Sequence, residues 1–135
     1  MQPRTGRTII RPKTDPTSLL TQAQRAQLLA NGKVNAARYA AGQVENDFIP
    51  VVKLFTPDAG ATWLLTEIDP YDEDAAFGLC DLGLGRPEIG YVLLLELATV
   101  RGRLGLPVER DYHFETDKPL SSYATDAHAA GRIST

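Results

Sequence analysis

The clearest periodic signal in the chain lies at residues 18–32, SLLTQAQRAQLLANG. Leu28 and Leu29 join Ala26 in an apolar stripe at helical spacing, with Gln and Arg on the wet side. Thr21 followed by Gln24 has the spacing of a capping box, which predicts a helix start, and Gly32 after Asn31 predicts its end. A second helical or irregular piece is expected over KVNAARYAAG, residues 33–42, closed by Gly42 and anchored by Tyr39. From Pro50 the period changes to two. VVKLF (51–55) reads as a short strand stopped by the turn TPDAG. In ATWLLTEID (61–69), strict alternation puts Trp63, Leu65 and Glu67 on one face and Thr62, Leu64, Thr66 and Ile68 on the other. AAFGLCDL (75–82) alternates again, setting Phe77, Leu79 and Asp81 opposite Cys80 and Leu82. Residues 91–94 read as a strand, and 95–101 fit either more strand or a short helix presenting Leu97 and Val100. SSYATDAHAAG (121–131) has the character of a Ser-capped, Gly-ended short helix.

These elements predict an α+β fold, an antiparallel meander of three to four strands with helices packed on one side. The expected organisation is a flexible basic arm over residues 1–17, a single domain over 18–120, and a short C-terminal helix or tail over 121–135.

Composition narrows the class. With 43% hydrophobic and 23% charged residues among 135, the chain is globular rather than disordered. One cysteine, Cys80, excludes an intramolecular disulfide framework and a multi-cysteine zinc site. No apolar run approaches ~18 residues and no basic-then-apolar leader opens the sequence, so a soluble cytoplasmic protein with no membrane partner is expected. The net charge of −3 conceals a segregated layout. Residues 1–44 carry seven bases against Asp15, whereas residues 45–96 carry eleven acids against Lys53 and Arg86. Such a dipole can orient a charged partner at long range.

Most of the candidate chemistry falls in TEIDPYDEDAAFGLCDLG, residues 66–83. An EF-hand loop begun at Asp69 would place Tyr71 at its third position and Cys80 at its twelfth, where oxygen ligands are needed. That match fails, and no metal or other cofactor is expected. Glu67 and Asp81 are candidates for a pair meeting across a hairpin, with Arg101 and Arg110 as further residues of one pocket. The same arginines can instead clamp Glu96, Glu109 or another acid and so pin their loop to the sheet. His113 and His128 show no metal-ligand spacing, and Cys80 in mid-strand has the setting of an inert thiol. The glycines at 78, 83, 85 and 90 match no phosphate-cradling motif.

The segments LLTQAQRAQLLANG, VVKLFTPDAGATWLLTEIDPYDEDAAFGLCDLGLGRPEIGYV and ELATVRGRLGLPVERDYHF together resemble a family of small domains of unknown function. Its members are carried largely on bacterial plasmids, integrative elements and phages. The resemblance spans residues 19–120, is most specific in FTPDAGATWLLTE and VRGRLGLPVERD, and leaves residues 1–17 outside. Leu95 stands where that family often has a small hydroxyl residue, so a helix starting there lacks its usual cap. The resemblance implies no catalytic residues. It implies a mobile-element setting, in which small accessory proteins serve transfer, maintenance or evasion of host defence. The expected function is therefore non-catalytic binding of a basic protein partner through Asp69, Asp72, Glu73 and Asp74, as in an anti-restriction or anti-CRISPR inhibitor. The alternatives are a metal-assisted hydrolase or nucleic-acid-processing enzyme using Glu67, Asp69 and Asp81, and a nucleic-acid binder using Arg4, Arg7, Arg11 and Lys13 of the arm.

Overall fold

A computed structural model of the chain describes residues 19–135, and the arm with Arg4, Arg7, Arg11 and Lys13 lies outside the described residues. The first helix, α1, is continuous over Gln22–Ala40. Its capping box forms as the sequence predicts: the Gln24 N–H donates to Thr21 Oγ1, and the Thr21 N–H donates to Gln24 Oε1, each at 3.0 Å. Gly32 does not end the helix. It lies in the middle, pressed so closely on β2 that a Cβ there would stand 1.8 Å from the Ile68 carbonyl oxygen. Here glycine serves close approach rather than termination, and the helix continues through the segment expected to be separate. Tyr39 faces solvent and anchors nothing in the core.

Five strands follow in an antiparallel sheet of order β4-β3-β2-β1-β5. They are β1 (Val52–Phe55), β2 (Thr62–Asp69), β3 (Asp72–Asp81), β4 (Glu88–Leu93) and the short β5 (Glu109–Arg110). The first four form the expected meander, and β5 adds a fifth strand by pairing Leu54 with Arg110 and Phe55 with Glu109. β3 starts earlier than its apolar pattern indicates, because Asp72, Glu73 and Asp74 belong to the strand.

One local irregularity reassigns a face. β2 pairs Leu65 with Gly78 but Glu67 with Phe77, so Thr66 is an extra, bulged residue. Before the bulge, Trp63 and Leu65 point one way. After it Ile68 rejoins them, and Glu67 turns to the opposite face beside Phe77. Strict alternation had set Glu67 with Trp63 and Leu65, and the bulge overturns that placement.

The helices cover both faces of the sheet rather than one. Leu28 of α1 and Leu94 and Leu97 of α2 (Leu94–Thr99) join Val52, Leu54, Trp63, Leu65 and Ile68 in the larger core. On the other face, Leu120, Tyr123, Ala124 and Ala127 of α3 (Leu120–Ala130) pack on Leu64 and Leu79. Three consecutive apolar residues, Trp63 to Leu65, are thus buried alike because β2 is covered on both sides.

Neither α2 nor α3 has a capping side chain of its own. α2 begins before the position expected for its cap: its N-cap is Leu93, which has no polar side chain, and the Leu95 N–H in the first turn donates to Asp74 Oδ1 of β3 at 2.9 Å instead. The Ser121 N–H of α3 donates to Asp47 Oδ1 at 3.1 Å, and its hydroxyl donates to the other oxygen of the same carboxylate. A negative side chain at a helix start also complements the helix dipole.

Candidate functional site: a tyrosine-rimmed acidic cleft

Every aspartate between residues 45 and 96 accepts a backbone N–H. Asp47 and Asp74 cap helices, as above. Asp69 accepts from Tyr71 and Asp72 from Asp74 where β2 turns into β3. Asp58 Oδ2 accepts from Leu104 at 2.6 Å and from Leu106 at 3.4 Å. Asp81, only 2% exposed, accepts from Gly83 at 2.8 Å and from Ile133 at 2.9 Å. The glutamates differ: Glu45, Glu73, Glu88 and Glu96 are exposed and accept no side-chain hydrogen bond among the described residues.

Asp58 also explains the arginine loop. Its carboxylate gathers the turn at 102–106, and Gly102 lies so close that a Cβ would be 1.6 Å from Asp58 Oδ1. The loop is held by this carboxylate on backbone amides, and among the described residues no arginine fork clamps an acid there. The Arg101 guanidinium donates to the Ala98 and Val100 carbonyls, and Arg110 lies 4.9 Å from the centre of the Tyr112 ring. The two most specific stretches of the sequence, around TPDAG and RGRLGLP, therefore meet at Asp58.

The pocket anticipated from Glu67, Asp81, Arg101 and Arg110 does not assemble. Asp81 pairs with Thr62 at one end of the β2–β3 hairpin, while Glu67 pairs with Phe77 toward the other. Four residue steps along β3 set them about 13 Å apart. Asp81 instead borders a hollow with Lys53, Asp111 and Arg132. Asp69 does reach the same cleft as Glu67, but Asp81 does not. Among the described residues, no three His, Cys, Asp or Glu side chains come together as a metal site. Cys80 and His113 are separated by β2 and β1, and burial with nearby Glu88 pushes the Cys80 thiol up to about 11.

What the structure does assemble is a cleft of about 440 Å³ at the acidic end of the sheet. Gly32, Asn35, Ala36, Tyr39 and Ala40 of α1 form one wall. Glu67 and Asp69 of β2, Pro70 and Tyr71 just after it, Glu45, and Tyr91 of β4 complete the lining. Tyr39 is 76% exposed, Tyr71 88% and Tyr91 63%. Three large aromatic side chains thus stand in solvent around one concavity, where a packed fold has no use for them. Among the described residues, no Lys or Arg lines it. Arg38, nearby on α1, is turned to the Val44 carbonyl.

Glu67 is the buried charge of the site, 9% exposed. Its Oε2 accepts from Asn35 Nδ2 at 2.8 Å. Asn35 is held in turn, its side-chain carbonyl accepting from the Asn46 N–H at 2.7 Å and its amide donating to the Asn46 carbonyl. Among the described residues no hydrogen bond reaches the other oxygen of Glu67, and the two ion pairs, Lys53–Asp111 and Lys118–Asp126, lie elsewhere. Burial raises its pKa above the usual carboxylate value, the Asn35 hydrogen bond opposes that rise, and the Glu45 charge adds to it. Tyr91 is raised too, first by burial and then by Asp69, Glu67 and Glu45, so one field from three carboxylates reaches its hydroxyl.

The bulge at Thr66 is what sequence reasoning missed, and without it Glu67 is turned away from Tyr91. Gly78 is its legible mark: a glycine inside an otherwise bulky strand, where a Cβ would be 1.9 Å from the Leu64 carbonyl oxygen. Of the tip residues singled out in the sequence, Asp69 ends β2 and Asp72, Glu73 and Asp74 begin β3, so the connection itself is only Pro70 and Tyr71. Asp69 lines the cleft, while Asp74 is occupied by α2.

A family model described as "Protein of unknown function (DUF2958)" matches residues 19–134. That match reaches through α3, past the span 19–120 of the resemblance noted above. No curated protein matches the chain, and no solved structure does. No helix among the described residues is long and apolar enough to cross a membrane.

Proposed function

The chain belongs to this family of proteins of unknown function, and from that premise we propose that it is a non-catalytic binding protein that captures a basic partner at the acidic end of its sheet. One observation carries the reading: the cleft gathers Glu45, Glu67 and Asp69 with three exposed tyrosines and, among the described residues, no lining cation. Carboxylates attract a basic surface at long range and exposed tyrosines supply contact area at close range, which is the composition of a recognition patch. The wider setting we propose is that of a cytoplasmic accessory protein of a mobile genetic element. Its partner there is a host defence nuclease of the restriction or CRISPR type, whose phosphate-binding surface the acidic ridge would occupy. The sequence resemblance and the acidic balance of residues 45–96 support that setting.

The test uses deca-arginine as a basic probe and isothermal calorimetry at low salt. Glu45 and Glu73 are exposed and accept no hydrogen bond, so reversing both to lysine changes charge without removing a cap. The expected result is a loss of about tenfold or more in affinity, shrinking as salt screens the field. Reversing the exposed Glu115 and Asp117, which border none of the cleft, should alter binding by less than about twofold. Equal losses from both pairs would mean diffuse attraction to net charge and would overturn the reading.

A further inference from the structure

The cleft has features that a general acidic surface does not need. Glu67 is buried, one of its oxygens is held by a neutral amide, the other accepts no hydrogen bond among the described residues, and the residue borders the concavity. A buried carboxylate without a cation is costly, and a cation supplied from outside removes that cost. Around the opening stand Tyr39, Tyr71 and Tyr91, with Tyr91 against Phe77 at a ring separation of 5.1 Å. Tyrosine faces attract a cation by their quadrupole, most of all where water is excluded. Ala36 and Ala40 leave an apolar wall along which an aliphatic stem can lie.

We infer that the cleft seats a single arginine side chain of the basic partner, its guanidinium among Tyr39, Tyr71 and Tyr91 and facing the open oxygen of Glu67. This rests on the binding role proposed above and assigns the residue that role turns on. Guanidinium fits better than ammonium on three counts. It is planar and stacks on aromatic faces; it is more weakly hydrated and so enters a half-buried site at lower cost; and it has five N–H donors. One of these can meet Glu67 while others reach Asp69 or Glu45 on the rim. The cleft's volume, about 440 Å³, lies within the range of small-ligand pockets.

The experiment titrates acetyl-arginine-amide into the whole chain and follows the tyrosine ring signals by NMR, with acetyl-citrulline-amide as a neutral isostere and acetyl-lysine-amide as the ammonium arm. Saturable shifts at Tyr39, Tyr71 and Tyr91 with arginine, at least tenfold weaker with lysine and absent with citrulline, are the expected result. Glu67→Gln retains an acceptor for Asn35 and should reduce arginine binding at least tenfold. Should that variant fold poorly, Tyr39→Ala with Tyr71→Ala, both at highly exposed positions, should give a comparable loss. Binding of citrulline as tight as arginine, preference for lysine, or unchanged binding in both variants would overturn the inference. If deca-arginine still binds in a manner dependent on Glu45 and Glu73, the inference alone falls; if that dependence also vanishes, the binding role falls with it.

Discussion

Replacing Gly32 by alanine is expected to destabilise the protein by about 3 kcal/mol or more, although alanine is the better helix former. An isolated helix would gain by ~1 kcal/mol from that change. In the fold, the new Cβ would stand 1.8 Å from the Ile68 carbonyl oxygen and 2.9 Å from its carbon, both backbone atoms that cannot swing aside. Either α1 lifts from β2 or β2 deforms next to its bulge. Each outcome disturbs the Asn31 Nδ2 bond to the Thr66 carbonyl, 3.0 Å, and the Asn35 bond to Glu67. Thermal unfolding followed by circular dichroism should show a midpoint lowered by roughly 10 °C, whereas Lys33→Ala, one residue along on the exposed side, should shift it by no more than about 2 °C. A midpoint raised in Gly32→Ala would mean that α1 does not lie on the sheet as described.

Gly32 also shows how a sequence can be read correctly in kind and wrongly in place. A glycine after Asn31, following an amphipathic run, is a sound stop signal by local rules. Nothing local distinguishes it from a glycine demanded by a strand 36 positions later. The capping box at Thr21 and Gln24 was legible because both partners lie three residues apart. The caps of α2 and α3 were not, since their acceptors, Asp74 and Asp47, come from 21 and 74 residues away. The cap missing at Leu93 is made good from β3, where Asp74 takes the Leu95 N–H.

The same distinction runs through the acidic residues. Their number and segregation were plain, and so was the failure of the calcium-loop spacing. Which carboxylates were already engaged was not, because Asp58 and Asp81 meet amides 46 and 52 residues away. Alternation along β2 gave the right strand and the wrong face for Glu67, since one bulged residue reverses everything after it. The cleft was therefore hidden even though Glu67, Asp69 and the acidic tip had each been singled out. Tyr39, Tyr71 and Tyr91 come from α1, a turn and β4, and only tertiary contact brings them to one rim.

Asp81→Ala is the second large effect. The carboxylate lies 2% exposed at the end of β3 and accepts from the Gly83 and Ile133 amides through separate oxygens. Removing it leaves the exposed Gly83 amide and the partly buried Ile133 amide without their acceptor, at an expected cost of about 1–3 kcal/mol. The loss is directional. The Ile133 bond ties the segment after α3 to the sheet, and Ile133 packs beside the Leu64–Leu79 cluster. Amide exchange at Ile133 should accelerate well before the sheet interior does, and limited proteolysis should find a new site in the last residues of the chain. Asp81→Asn keeps one acceptor oxygen and should recover part of the loss. A catalytic role for Asp81 predicts the reverse, a more stable protein once a strained carboxylate is gone.

Whether a basic partner is met at the tyrosine-rimmed cleft is tested by a chemical-shift map of the whole chain titrated with deca-arginine at low salt. Shifts are expected to concentrate at residues 32–40, 45, 67–71 and 91 and to be reversed by added salt. Shifts centred on α3, or spread evenly over the surface acids, would contradict binding at the cleft.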